Sequence, residues 1–175
     1  MRDTLFLYYV EFGHGLCYKR RYAISARRIK NLYSGFLMLA SAGSIAALAV
    51  WKELPLLWSV IAVTAQTMQV LQPLTQAAKQ QEALKYILQD ASRIFDEIAS
   101  YWDLVGSREI RPEEYQNVAD KISEFKSRMR ESEERFASDL HFPRKPWLIK
   151  PASRDNQEYF WYHYNVKPEG GTFYG

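Results

Sequence analysis

The sequence predicts a mainly α-helical protein: a basic N-terminal lead helix, a two-helix transmembrane hairpin and a cytoplasmic helical hairpin, with short β-strands at the chain ends. Three observations predict it. Two uncharged apolar stretches, Leu32 to Trp51 and Leu54 to Ala78, lie almost back to back, a run of basic residues precedes the first, and two heptad seams follow the second. The boundaries divide the chain into a basic aromatic N-terminal segment at 1–31, a transmembrane hairpin at 32–78 with spans 32–51 and 54–75, a cytoplasmic helical hairpin at 79–140 and an extended aromatic C-terminal segment at 141–175.

At about 1.5 Å rise per helical residue the first stretch covers roughly 30 Å, the thickness of a bilayer's hydrocarbon core. It starts too far into the chain and is too long for the core of a cleaved signal peptide, and a second apolar stretch follows at once. The alternative is the buried central helix of a helical bundle, but twenty uncharged residues exceed the usual length of one. Between the spans stand only Lys52 and Glu53, so the two helices are expected to be antiparallel neighbours, and Pro55 suits the first turn of the second. Lys19, Arg20, Arg21, Arg27, Arg28 and Lys30 precede the first span with no acidic residue among them. The positive-inside rule then places both termini in the cytoplasm of a multi-pass inner-membrane protein, with these six residues at the membrane surface.

The net charge of +3 is small and gathered before the first span, which favours anionic lipid headgroups over nucleic acid as the partner. Cys17 is the single cysteine and has no partner for an internal disulfide, as suits a reducing compartment; a packing role is expected for it.

Within the second span, Ser59, Gln66, Gln69, Gln72 and Gln76 fall on one arc of about 140° at 100° per residue. Amides avoid lipid, so this arc should line a water-filled path or pack against another helix. The first span is rich in small residues from Ala40 to Ala49, which lets helices approach closely. A two-helix hairpin encloses no aqueous path by itself, so a conduit requires a homo-oligomer.

After the spans, Leu84, Ile87, Ala91, Ile94, Ile98, Tyr101 and Val105 alternate steps of three and four, the spacing of a heptad seam. Gly106 and Pro112 mark the end of that helix and the start of the next. Tyr115, Val118, Ile122, Phe125, Met129 and Phe136 repeat the seam, with Ser132 interrupting it. The seams can close on each other as an antiparallel hairpin or pair between subunits. The alternating charges of 121–135 read as a solvated face.

Leu5 to Val10 and Tyr159 to Val166 have the composition and length of strands, which could pair with each other or with a partner's sheet edge; an aromatic segment in the membrane interface is the other reading. Pro143, Pro146 and Pro151 suit an extended connector, and Gly170, Gly171 and Gly175 a frayed end.

No catalytic constellation is present in the sequence. His14, His141 and His163 are scattered, no zinc spacing or glycine-rich phosphate loop occurs, and Asp90, Asp96 and Glu97 beside Arg93 read as a solvated ion-pair face. Neither an enzyme activity nor a cofactor or metal is expected, and direct nucleic-acid binding is not expected either.

From about Tyr18 to Trp102, the lead CYKRRYAISARRIKNLY, the small-residue first span, the tight KELP turn, the second span and its helical continuation resemble the SLATT family of two-helix membrane effectors from bacterial nucleotide-signalling and antiviral conflict systems. The resemblance implies an oligomeric, membrane-permeabilising effector that kills or arrests an infected cell when a partner sensor, such as a nucleotidyltransferase or reverse transcriptase system, triggers it. The alternative is a non-conducting anchor or adaptor that tethers a cytoplasmic partner. The segment from His141 onward lies outside the resemblance.

Overall fold

The computed structural model describes residues 2–46, 60, 63–64, 66–67, 76–106 and 110–166. Four α-helices order the described chain: α1 (Arg2–Ala46), α2 (Gln76–Val105), α3 (Tyr115–Ala137) and α4 (Ile149–Tyr164). Single 3₁₀ turns, Pro112–Glu114 and Pro146–Leu148, lead into α3 and α4. In each turn the proline takes the first position, where a missing N–H costs nothing. The protein is mainly α, as the sequence predicts.

Two compact units divide the chain, one of Met1–Ala23 with Ala83–Gly175, the other of Ile24–Glu82. In the first unit the register of contacts gives the helix directions. Tyr86 stacks on Phe136 and Tyr101 meets Phe125 edge-on, while Asp90 accepts from the Ser132 hydroxyl and Glu97 pairs with Arg128. Rising numbers on α2 thus meet falling numbers on α3, and the two are antiparallel. Phe6 against Trp102, Tyr9 against Phe95 and Arg20 against Ser92 run α1 antiparallel to α2. Phe6 against Phe160, Val10 against Asn156 and Arg21 against Asp155 do the same for α1 and α4.

The heptad seam of α2 is the spine of this unit. Leu84, Ile87, Ala91, Ile94, Ile98 and Val105 are all buried, and Val118, Ile122 and Phe125 of α3 close on the same core. Ser132 does not break the second seam. Its hydroxyl donates to Asp90 Oδ2 at 2.8 Å, which satisfies the one polar group the seam buries there. Gly106 ends α2 with its N–H on the Trp102 carbonyl at 2.6 Å, and a Cβ at this position would come within 2.7 Å of the Trp102 ring.

Both terminal strand expectations are corrected: Leu5 to Val10 lies in α1 and Tyr159 to Tyr164 in α4. Their burial follows a helical period. Leu5 and Tyr9, one turn apart, are fully buried while Leu7 between them is exposed, and Ala152, Asn156 and Phe160 face inward while Trp161 and Tyr162 face out. The aromatic runs are therefore amphipathic helix faces joining one aromatic core, in which Tyr9 and Phe160 meet edge to face with centroids 4.8 Å apart. The extended C-terminal segment is corrected likewise: only 141–145 is non-helical before the turn into α4, and Pro151 sits inside the first turn of that helix. Gly170, Gly171 and Gly175 lie outside the described residues.

The localisation is corrected too. A multi-pass inner-membrane protein with both termini cytoplasmic needs two spanning helices, and among the described residues no helix is long and apolar enough to cross a membrane. Of the first stretch α1 holds Leu32 to Ala46, which at about 1.5 Å per residue rises roughly 22 Å against a core of about 30 Å. Its preceding turn carries Arg27, Arg28 and Lys30. The remainder of the first stretch, the Lys52 and Glu53 turn, Pro55 and most of the second stretch lie outside the described residues.

Candidate functional site

The six basic residues expected at a membrane surface divide into two groups. The first three are engaged inside the first unit: Lys19 Nζ lies 2.7 Å from Glu133, Arg20 donates to Ser92 Oγ at 3.2 Å, and Arg21 makes a two-pronged bond to Asp155 with both contacts at 2.6 Å. Guanidinium and carboxylate shift each other, holding Asp155 below the usual carboxylate range through hydrogen bonding to Arg21. Arg27, Arg28 and Lys30 are exposed, and so are the apolar side chains among and beyond them: Ile24, Ile29, Leu32 at 76 % and Met38 at 72 %. No acidic residue occurs between Glu11 and Glu53.

Of the polar arc, Ser59, Gln69 and Gln72 lie outside the described residues, and so does the side chain of Gln76, the first residue of α2. Gln66 is helical and exposed. Val60 and Val63 beside it are more than half exposed, and their carbonyls accept from the Thr64 and Thr67 hydroxyls at 2.7 and 2.8 Å. The helix backbone thereby satisfies both threonine hydroxyls.

A groove of about 570 Å³ opens in the first unit. Its floor is Tyr22, Leu84 and Ile87, all buried, and its wall is the connector from Phe142 to Arg144. That wall is fixed in place. The Lys145 N–H donates to the Tyr18 hydroxyl at 2.8 Å, the Lys145 ammonium sits 4.1 Å from the Tyr22 ring centroid, and Phe142 meets Tyr22 edge-on at 6.0 Å. Periodicity could not reveal this site, because its lining comes from three segments distant in sequence, 18–22, 84–87 and 130–144. The one available signal was the aromatic pair Tyr18 and Tyr22, one helical turn apart in the basic lead.

Two carboxylates of α2 are held by side chains of α3. Glu97 is held by Arg128, with Nη2 to Oε1 at 2.9 Å, and that hydrogen bond lowers its pKa. Asp90 accepts from Ser132. Burial pushes the Cys17 thiol up, which keeps it protonated and slow to react, in line with packing. Burial lowers the pKa of His14, and among the described residues no cluster of histidine, cysteine and carboxylates could hold a metal ion. Comparison of the chain with family models, curated proteins and solved structures returns no match.

Proposed function

We propose that the chain is a non-catalytic effector that assembles at the surface of a lipid bilayer and makes it leak when a partner engages its helical unit. The observation that carries this reading is the segment from Ile24 to Met38, where Ile24, Ile29, Leu32 and Met38 are exposed with Arg27, Arg28 and Lys30. Water is a poor solvent for that combination, whereas an anionic interface accepts apolar side chains and cations together. The resemblance to two-helix effectors supports it. α1 and α2 contribute residues to both units, so a partner held by the helical unit has a covalent route to the lipid-facing segment.

Flotation with vesicles tests the contact, and dye release tests the activity. At a high protein-to-lipid ratio, which drives assembly without the partner, wild-type chain should float with vesicles containing anionic lipid and release their dye, and the combined Arg27→Gln, Arg28→Gln, Lys30→Gln variant should bind about a hundredfold more weakly and release correspondingly less. Lys121→Gln, which removes a cation paired with Glu124 in the helical unit, should change neither. Absence of flotation by wild type overturns the reading. Flotation without release under any lipid composition leaves the tether alone, which is the adaptor alternative.

A further inference from the structure

We propose that α4 exchanges between copies of this chain: it swings out on the turn at 138–141 and docks on α1 and α2 of a second copy, whose own α4 docks back. Such a pair needs no surface beyond the one α4 already covers, and a two-fold exchange closes on itself. The inference does not rest on the lipid contact of residues 24–38.

The hinge shows in how α3 ends. α2 stops at Gly106 and α4 at Asn165, whose φ of 52° turns the backbone left-handed. After α3 stands Ser138 at φ −51° and ψ −41°, an ordinary right-handed helical conformation, and the Leu140 N–H still bonds the Ala137 carbonyl at 3.0 Å. Ser138, Asp139, Leu140 and His141 include neither glycine nor proline; the first residue that opposes a helix is Phe142, because it precedes Pro143. One more turn of α3 is therefore open to the chain, and making it redirects everything from Phe142 onward away from its own α1.

What leaves is lightly held and finds the same grips on a second copy. Of α4, Ala152, Asn156 and Phe160 are buried, against the continuous buried seam of α2, and a segment with few buried apolar contacts opens before the core does. Asn156 weakens the hold further. Its Nδ2 donates to the Val10 carbonyl, but its Oδ1 has no hydrogen-bond partner among the described residues, and a buried acceptor left so costs stability. The other ties are directional side-chain bonds: Arg21 to Asp155 at 2.6 Å, Tyr9 to Tyr159 at 3.0 Å, Tyr164 to Asp103 at 3.2 Å and the Lys145 N–H to Tyr18 at 2.8 Å. Exchange breaks these and remakes every one of them, so the hinge and the entropy of association decide between one copy and two.

Charge reversal tests the exchange on the full-length chain in a mild non-ionic detergent. Arg21→Asp and Asp155→Arg each set like charges face to face within one copy, whereas a mixture of the two variants restores both ion pairs once α4 is exchanged. Differently tagged variants, incubated together at high concentration and then diluted, should co-purify about tenfold more in the complementary mixture than either variant does with itself. Equal yields in all pairings indicate an interface elsewhere and overturn the proposal, as does a complementary mixture that stays monomeric. The hinge is tested separately in the otherwise unchanged chain. Leu140→Gly, which disfavours a further helical turn, should lower the dimer fraction about tenfold, and Asp139→Ala, which favours one, should raise it by a similar factor, both with an unchanged helical spectrum. A dimer fraction that neither substitution moves overturns the proposal as well.

Discussion

Gly13 and Gly15 stand two residues apart in the same helix, and substitution by alanine should move stability in opposite directions. Alanine is favoured over glycine in a helix interior by about 1 kcal/mol, and at Gly15 nothing lies within 4 Å of a new Cβ, so that gain is expected nearly whole. At Gly13 the same Cβ would sit 2.5 Å from Asn156 Oδ1, 3.0 Å from Phe95 Cε2 and 3.3 Å from Phe160 Cε2. None of the three can yield easily. Asn156 is buried and its Nδ2 donates to the Val10 carbonyl at 3.1 Å, while Phe95 and Phe160 are wedged among Tyr9, Phe12 and Tyr159. Overpacking costs about 1–3 kcal/mol and loss of a buried hydrogen bond about 1–3 kcal/mol more, against the gain of about 1. Gly13→Ala should therefore destabilise by about 1–5 kcal/mol and Gly15→Ala stabilise by up to about 1 kcal/mol. Urea unfolding followed by tryptophan fluorescence reads both. Equal shifts of the same sign would refute the close approach of α4 to α1 at Gly13.

Ile98→Asp places a carboxylate at a fully buried seam position and should cost several kcal/mol or abolish folding, seen as loss of the cooperative melt. Tyr9→Phe removes the hydroxyl that meets Tyr159 at 3.0 Å and Tyr164 at 3.4 Å, and a loss of about 0.5–1.5 kcal/mol is expected by denaturant titration. Because Arg21 depresses the pKa of Asp155 in the folded state, its contribution is complete above the unfolded value of about 3.9 and is lost as pH falls through the folded value; Asp155→Asn should flatten stability against pH in that acid window and leave the neutral region's slope unchanged. His14 behaves in the converse sense. Its folded pKa is lowered by burial, so the unfolded chain binds the extra proton first and stability should fall as pH drops below about 6.5, a slope that His14→Gln removes in pH-dependent melting.

The seam of α2 was legible because its signal is local: a face buried against several neighbours must repeat at three and four, whatever those neighbours are. The termini misled for a physical reason of their own. In Leu5 to Val10 and Tyr159 to Tyr164 the residues facing out are as apolar as those facing in, so composition masks the period, and strand-like content outvotes a helix of which only Leu5, Tyr9 and Phe160 are fully inside. Ser132 shows the opposite failure. It reads as a break in the seam because its partner Asp90 lies one helix away, and the hydrogen bond that makes it a seam residue has no trace in the local spacing.

The basic lead was legible as a cluster but not as a divided one, and the division changes the energetics of the proposed lipid contact. Six free cations near an anionic surface would contribute about 6 kcal/mol at about 1 kcal/mol each. Lys19 and Arg21 are neutralised by Glu133 and Asp155, and Arg20, still charged, is tied back to Ser92 within the first unit, so Arg27, Arg28 and Lys30 supply about 3 kcal/mol, close to a hundredfold in binding constant. That is too little for stable attachment. The exposed side chains of Ile29 and Leu32 must supply the rest, at about 1.5–3 kcal/mol for each one fully buried. The two contributions separate in salt, which screens charge over about 3 Å at 1 M but leaves apolar burial intact. Attachment should accordingly weaken by about two orders of magnitude at high salt without vanishing, and it should vanish when Ile29 and Leu32 are replaced by serine.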